Sequence, residues 1–359
     1  MGRALAADRA TSLTHLDGSG PGIRRQGSSK NFRYQDSRGE ILRSKAELER
    51  IRSLHIPPAW TDVWISPDQT SHLQATGHDA AGRKQYLYHH RWLEERAHRK
   101  FDDMLDFARA LPSLRSTTAA ALVEPGLGRR RVMSLGLRLL DLGLFRIGTE
   151  RYAEHNHTYG LVSVLRKQVE VRDDKAKFDY VAKWAKRRVV VISDAAAVSA
   201  IAELKGRTGG PPQLMSFQHA GKWAHVTPDE VNNFLRVEAS GPFSAKEFRT
   251  WHATVIAAKE LAAHDPAGVS LERRRSMIRE AIQNVASNLG NTPAVARGSY
   301  VDPRVVAQFE VGKTIRAAIS GATRLTAERL LERVEAAVID LLEDARQVEI
   351  GQRREQDDS

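Results

Sequence analysis

The apolar residues change period once along the chain, and that change restricts the possible folds more than any other feature. Between residues 31 and 88 they come in short aromatic and β-branched runs bounded by turn residues: Phe32-Arg-Tyr34 before a Ser-Arg-Gly turn, Val63-Trp-Ile65, and Gln85-Tyr-Leu-Tyr88. Runs of this kind read as strands, with one helix over Lys45–Ser53 between them. From Arg91 onward the spacing is helical. Residues 92–111 read as a helix that Pro112 stops, and the Leu-rich residues 131–144 read as a buried one. Residues 162–171, 177–181 and 188–192 fit a small three-stranded antiparallel sheet. Ser244-Ala-Lys-Glu247 is a capping box that opens a helix to about residue 263. Ile278, Ala281, Ile282, Val285 and Leu289 share one helical face, and Gly290 is placed to close that helix. Leu330, Leu331, Val334, Val338, Leu341 and Leu342 mark a last amphipathic helix.

The expected class is therefore α+β. A flexible arm over residues 1–30, rich in Gly, Ser, Arg and Asp, precedes a β-rich domain over 31–97. A mainly helical domain over 98–350 follows, then a polar tail over 351–359. Two domains agree with a length of 359 residues at about 100–200 residues per domain. No apolar run reaches the roughly 18 residues of a membrane span, and residues 1–16 hold no signal-peptide core. A cytoplasmic location associated with the chromosome is the expectation.

Lys and Arg number 55 against 44 Asp and Glu, a net charge of +11. Such an excess points to a polyanionic partner, nucleic acid first. There is no cysteine, which excludes disulfides, thiolate catalysis and Cys-based zinc sites. The histidines fall into no metal-ligand spacing: His155 and His157 lie two apart, and His89 and His90 are adjacent. Gly126-Leu-Gly128 before three arginines is a short turn and not a phosphate loop, so no nucleotide cofactor is implied. Trp60 and Trp64 read as core.

Residues 289–300 run Leu-Gly-Asn-Thr-Pro-Ala-Val-Ala-Arg-Gly-Ser-Tyr. Here the chain resembles the type IB DNA topoisomerases in their compact poxvirus-like and bacterial form, which place a His or Asn nine residues before a nucleophilic tyrosine. Asn291 and Tyr300 have that spacing. The resemblance extends from residue 21 to about 308. Leu54-His-Ile-Pro-Pro-Ala-Trp-Thr-Asp-Val-Trp-Ile65, Gln74-Ala-Thr-Gly77 and Gly82-Arg-Lys-Gln-Tyr-Leu-Tyr88 are similar to the bacterial N-terminal domain. Phe145-Arg-Ile-Gly148 matches the segment holding the family's first catalytic arginine. Lys246-Glu-Phe-Arg249 matches the segment holding the second.

What the resemblance implies agrees with the chemistry of these residues. A phosphodiester is a poor electrophile, and its transition state gathers negative charge on the non-bridging oxygens. Arginine forks match those oxygens and stay charged, so Arg146 and Arg249 are candidates, with Asn291 as a neutral donor. Tyr300 would attack phosphorus, form a covalent 3′-phosphotyrosine and release a 5′ hydroxyl. That leaving oxygen needs a proton, and the family takes it from a lysine in a hairpin turn. Lys183, in Phe178-Asp-Tyr-Val-Ala-Lys-Trp-Ala-Lys186, is the matching position, with Lys186 the alternative. The family's Gly-Lys-x-Gly-Lys turn has lost its glycines to Ala182 and Ala185, with Trp184 between them, and Gln168 stands where many relatives have His.

The resemblance also implies that Gln85, Tyr86 and Tyr88 face DNA, with Lys84, Arg96 and Lys246 adding phosphate contacts. The expected whole is a monomeric clamp on double-stranded DNA, needing neither ATP nor metal. Tyrosine recombinases share this chemistry, but carry His-x-x-Arg around the second arginine and a helical N-terminal domain. A non-enzymatic DNA clamp is the remaining alternative.

Overall fold

The structure, a computed structural model, describes residues 13–28, 31–265, 268–320 and 325–357. The chain divides into two compact units between Lys100 and Phe101.

The first unit is a five-stranded antiparallel sheet in the order β2-β1-β3-β4-β5. Its strands are β1 (Ile23–Ser28), β2 (Asn31–Gln35), β3 (Thr61–Ile65), β4 (Leu73–His78) and β5 (Lys84–Tyr88), with helix α1 (Lys45–Ser53) between β2 and β3. Ile23, Ile51, Val63, Ile65 and Ala75 form its buried core, against which Trp60 and Leu87 pack. Trp64 is buried and its indole donates to the Gly20 carbonyl at 3.1 Å. A Cβ on Gly22 would lie 2.0 Å from that indole, so only glycine fits there. The strand β1 corrects the reading of residues 1–30 as a flexible arm. Ile23 is its apolar anchor, and pairing with both β2 and β3 places it inside the sheet. Residues 1–12 and 29–30 of that arm lie outside the described residues.

Helix α2 (His90–Leu122) spans the division between the units. It does not stop at Pro112 as expected. The missing N–H costs about 3 kcal/mol, and burial of Leu111, Leu114, Ala121 and Leu122 offsets it. The second unit continues with α3 (Arg129–Gly143), α4 (Glu150–Asn156), strands β6 (Val169–Arg172), β7 (Lys175–Ala182) and β8 (Lys186–Ile192), and α5 (Ala195–Gly206). The three strands form one antiparallel sheet in sequence order. Residues 162–168, read as part of its first strand, instead make a turn and a 3-10 helix over Arg166–Gln168. There Gln168 accepts from the Leu165 backbone at 2.8 Å.

A hairpin of β9 (Ser216–His219) and β10 (Lys222–His225) leads to α6 (Pro228–Glu238), α7 (Ala245–Ala262) and α8 (Leu271–Leu289). The short helices α9 (Pro293–Ser299), α10 (Pro303–Glu310) and α11 (Arg316–Ile319) precede α12 (Ala327–Asp357). The expected capping box opens α7: the Ser244 N–H donates to Glu247 at 2.9 Å. Gly290 closes α8 at φ +64°. Helix α12 continues through residues read as a polar tail, to Asp357.

Helix α7 is the axis of this unit. It packs against α3, α6, α8, α10, α11 and α12, and Phe248, Trp251, Ala253, Val255, Ala257, Ala258, Leu261 and Ala262 are all buried. A buried ionic network ties it to α2, α3 and α12. Arg115 donates to Asp141 at 2.9 and 3.0 Å and to Glu335 at 3.0 Å. Trp251 donates its indole N–H to Glu335 at 3.0 Å, and His252 lies 2.9 Å from Asp141. Burial pushes the Asp141 carboxyl up, but His252 and Arg115 outweigh it and hold it well below its ordinary 3.8.

Because folding lowers this pKa, the unfolded chain binds more protons than the native one. The stabilisation is complete above the ordinary value and lost as pH falls through the depressed one. We predict that Asp141→Asn, by uncovering Arg115, costs about 3–5 kcal/mol and lowers Tm by on the order of 10 °C. It should also flatten the acid limb of Tm against pH. Thermal unfolding that matches the wild type from neutral pH downward would contradict this.

Candidate active site

Helix α3 ends at Gly143, and Leu144 takes the left-handed conformation at φ +51°, which turns the chain sharply. Phe145 then plugs the core against Phe178 and Tyr180. The next residue, Arg146, has its backbone carbonyl held by the Leu161 N–H at 2.8 Å. Gly148, at φ +77°, lies so close to Gly160 that a Cβ on either would meet the other's backbone below 3.0 Å. The glycine of Phe145-Arg-Ile-Gly148 therefore fixes the loop that carries Arg146.

Helix α8 ends on Gly290, and the Asn291 N–H returns to the Ala286 carbonyl at 2.9 Å. Asn291 thus helps close the helix through its backbone while its side chain is free for another task. Its Oδ1 accepts from Arg146 Nη2. Thr292 caps α9 by accepting from the Val295 N–H, with Pro293 at the first helical position, where a missing N–H costs nothing. Tyr300 sits at the far end of α9 and donates its N–H to Ala296 at 3.0 Å. The nine-residue spacing is one helix closure plus one short helix.

Arg249, on α7, is only 3% exposed, so it is not a solvated helix arginine. Its guanidinium donates to the carbonyls of Leu144 and Leu289, the latter at 2.9 Å. The same group lies 5.2 Å from the centre of the Tyr300 ring. Two buried donors, Arg249 Nε and Asn291 Nδ2, have no hydrogen-bond partner among the described residues. Burial raises the pKa of the Tyr300 phenol, but the charges of Arg249, Arg146 and Lys246 outweigh it and hold the group below its ordinary 10.0. Burial and the neighbouring Arg146 likewise draw Arg249 below its usual value.

A groove of about 400 Å³ opens beside these residues, lined by Arg146, Lys183, Lys186, Arg187, Arg188, Ser287, Asn288 and Gly290 among others. Lys183, in the β7–β8 turn, and Lys186, the first residue of β8, both line it. Arg187 is committed to Asp179 through two bonds of 2.8 and 2.6 Å. The structure thus brings Arg146, Arg249, Asn291 and Tyr300 together, with Lys246 near enough to act on the phenol, and puts Lys183 on the same groove as Arg146.

Two residues escape sequence reasoning. Arg188 reads as one more basic residue at the start of a strand, yet it donates to Asn288 at 3.2 Å and to Gly143 at 3.1 Å, bridging the ends of α8 and α3. Thr254 is buried on α7. Its hydroxyl accepts from the Asp302 N–H at 3.1 Å and lies 3.3 Å from the Tyr300 carbonyl oxygen. Thr254 follows Arg249 at i, i+5 within one helix. No sequence signal marks either residue, because each contact joins segments 45 to 100 residues apart.

In the first unit, strand alternation puts Lys84, Tyr86 and Tyr88 on one face of β5. The Lys84 ammonium lies 5.6 Å from the Tyr86 ring centre, and the Tyr86 and Tyr88 rings stack at 6.1 Å. Tyr86 is 48% exposed. Gln85 departs from the expectation that all three residues face one way. It projects to the side of Leu87, and its amide donates to Asp79 at 2.8 Å. Arg96 is exposed on α2, 6.0 Å from the Trp92 ring centre. Among the described residues no helix is long and apolar enough to cross a membrane, and no group of three or more His, Asp or Glu is placed to hold a metal.

Comparison with known proteins agrees with this arrangement. The family model of the eukaryotic DNA topoisomerase I catalytic core matches residues 89–319, and that of the bacterial DNA topoisomerase IB N-terminal domain matches residues 31–79. The DNA topoisomerase 1B of Acanthamoeba polyphaga mimivirus is 30% identical over 287 residues, covering 78% of this chain and 85% of that protein. With the two family models in order along one chain, and a relative aligned across both units, this protein belongs to the type IB DNA topoisomerases.

Proposed function

We propose that the chain relaxes supercoiled duplex DNA by cutting one strand through Tyr300, letting it rotate, and resealing it. The observation that carries this reading is the Tyr300 ring over buried Arg249, beside two donors without partners, Arg249 Nε and Asn291 Nδ2. A phosphate placed there would accept from both, and its developing charge would meet Arg249 and Arg146. Donors fixed before the reaction cost no reorganisation in the transition state. Tyr300 would attack phosphorus, the P–O5′ bond would break, and the 5′ oxygen would take a proton from Lys183, with Lys186 as the alternative on the same turn. The phosphodiester energy is kept in the 3′-phosphotyrosine, so resealing by the 5′ hydroxyl calls for neither ATP nor a metal ion.

Lys84, Tyr86, Tyr88 and Arg96 of the first unit and Lys246 of the second would hold the duplex, in a protein that works as a monomer on the bacterial chromosome. Cations of this kind position a duplex through its phosphates, so binding should weaken steeply with salt. Gln85 contributes by holding the β4–β5 turn through Asp79, rather than by reading DNA. The antiparallel sheet of the first unit and Lys246-x-x-Arg249 in place of His-x-x-Arg favour this reading over a tyrosine recombinase.

The test is plasmid relaxation in EDTA, with trapping of the covalent adduct. Tyr300→Phe should reduce relaxation by at least about 10³-fold and abolish the adduct while DNA binding persists. A covalent complex that survives in this variant would remove Tyr300 from the reaction.

A second prediction concerns pH. A phenolate is the attacking form, and positive neighbours favour it. Single-turnover cleavage should therefore rise with pH to a plateau with a midpoint below 10. In Arg249→Gln the midpoint should move upward, and the plateau should fall by about 10²–10³-fold. An unmoved midpoint would show that Arg249 does not set the charge state of Tyr300.

A further inference from the structure

The β7–β8 turn holds the most exposed large aromatic side chain among the described residues. Trp184 is 77% exposed at the hairpin tip. Its backbone is left-handed at φ +68°, and that of Ala185 follows at φ +54°. Residues with a Cβ take this conformation at a cost, and such outliers persist where the surroundings over-determine them. Here the strands impose it: Ala182 pairs with Lys186, so only three residues close the hairpin. The effect is to aim an indole away from the protein.

The surroundings of that indole are cationic. Lys183 and Lys186 flank it, the Lys183 ammonium lies 5.3 Å from its ring centre, and Arg188 and Arg146 line the groove at the base of the turn. An exposed tryptophan among cations is a poor surface for an apolar protein partner, because docking would desolvate the charges. It suits a polyanion whose apolar faces are stacked bases. Aromatic and apolar side chains carried into a groove on a basic element insert at base steps and unstack them, and indole rings stack on any base.

From this placement we infer that Trp184 is a DNA wedge. It enters the groove beside the cleaved phosphate, stacks against the adjoining base and opens that step, which sets the depth of the Lys183 ammonium. This inference rests on the strand-cutting function proposed above. Trp184 touches substrate without taking part in bond making. The turn has exchanged glycine freedom for a rigid aromatic tip.

The experiment uses the full chain carrying Tyr300→Phe, so that DNA is bound uncut. The duplexes carry 2-aminopurine at each position flanking the phosphate mapped by wild-type adduct trapping. With Trp184 present, fluorescence should rise at one flanking position. Trp184→Ala should abolish that rise and weaken binding by about 10-fold, and Trp184→Phe should restore most of both. Circular dichroism of each variant should match the parent, since the tip is exposed. An unchanged 2-aminopurine signal in Trp184→Ala would overturn the wedge. So would a slower cleavage rate in the same substitution with Tyr300 intact, if the signal and affinity stayed unaltered; that result would leave Trp184 only a neighbour of Lys183. Failure of the wild type to relax plasmid or form an adduct would instead refute the strand-cutting function, whatever the fluorescence shows.

Discussion

The guanidinium of Arg249 is where the second unit is joined. Helices α3 and α8 both end with carbonyls that no further helical turn can satisfy, and both ends carry the negative pole of the helix dipole. Leu144 and Leu289 direct those carbonyls to one buried cation. Arg146 comes two residues after Leu144, and Asn291 two residues after Leu289. The bond between Arg146 and Asn291 is therefore a consequence of two helices ending on the same arginine. Tyr300, one short helix further on, lands with its ring over that charge. A lysine at 249 would keep a charge but not the planar fork that reaches two carbonyls while facing a ring.

Such a buried cation is stable only if its helix cannot move. Helix α7 is enclosed by six others, and the network of Arg115, Asp141, His252, Trp251 and Glu335 ties it to α2, α3 and α12. Thr254 extends the same helix's reach to the backbone around Tyr300. The candidate phosphate-binding groups and the candidate nucleophile thus rest on packed helices, as transition-state stabilisation by fixed donors would require. The candidate proton donor is placed differently. Lys183 stands on a narrow turn at the surface, and its position depends on the strained backbone of Trp184 and Ala185 rather than on a core.

Much of this arrangement is legible in the residues themselves, because the signals are local. Ser244 and Glu247 announce the start of α7, and Gly290 the end of α8. Each acts within a turn of its own position. The helix over Lys45–Ser53 and the strand β5 follow from periodicity alone. Where reading fails, a distant contact outweighs a local preference. Pro112 is a helix breaker held within a helix by buried leucines on either side. Ile23–Ser28 carries too few apolar residues to read as a strand, and becomes one because two partners pair with it. Gln85 faces away from Tyr86 because a strand alternates its side chains, and Asp79 takes up its amide.

The sequence by itself determined the two-part α+β plan, the candidate set of Arg146, Lys183, Arg249, Asn291 and Tyr300, and the attraction to a polyanion. The plan rests on periodicity and the attraction on net charge, while the candidate set is what the resemblance to the type IB topoisomerases implies; none of them needs folding to be read. Only the tertiary structure decided that Arg249 is buried and bound to two helix ends, that Arg188 and Thr254 support the site, and that Trp184 projects outward. Those facts depend on which distant segments share a hydrogen bond or exclude water together. That is settled by packing across tens to hundreds of residues, for which no short stretch of sequence carries a mark.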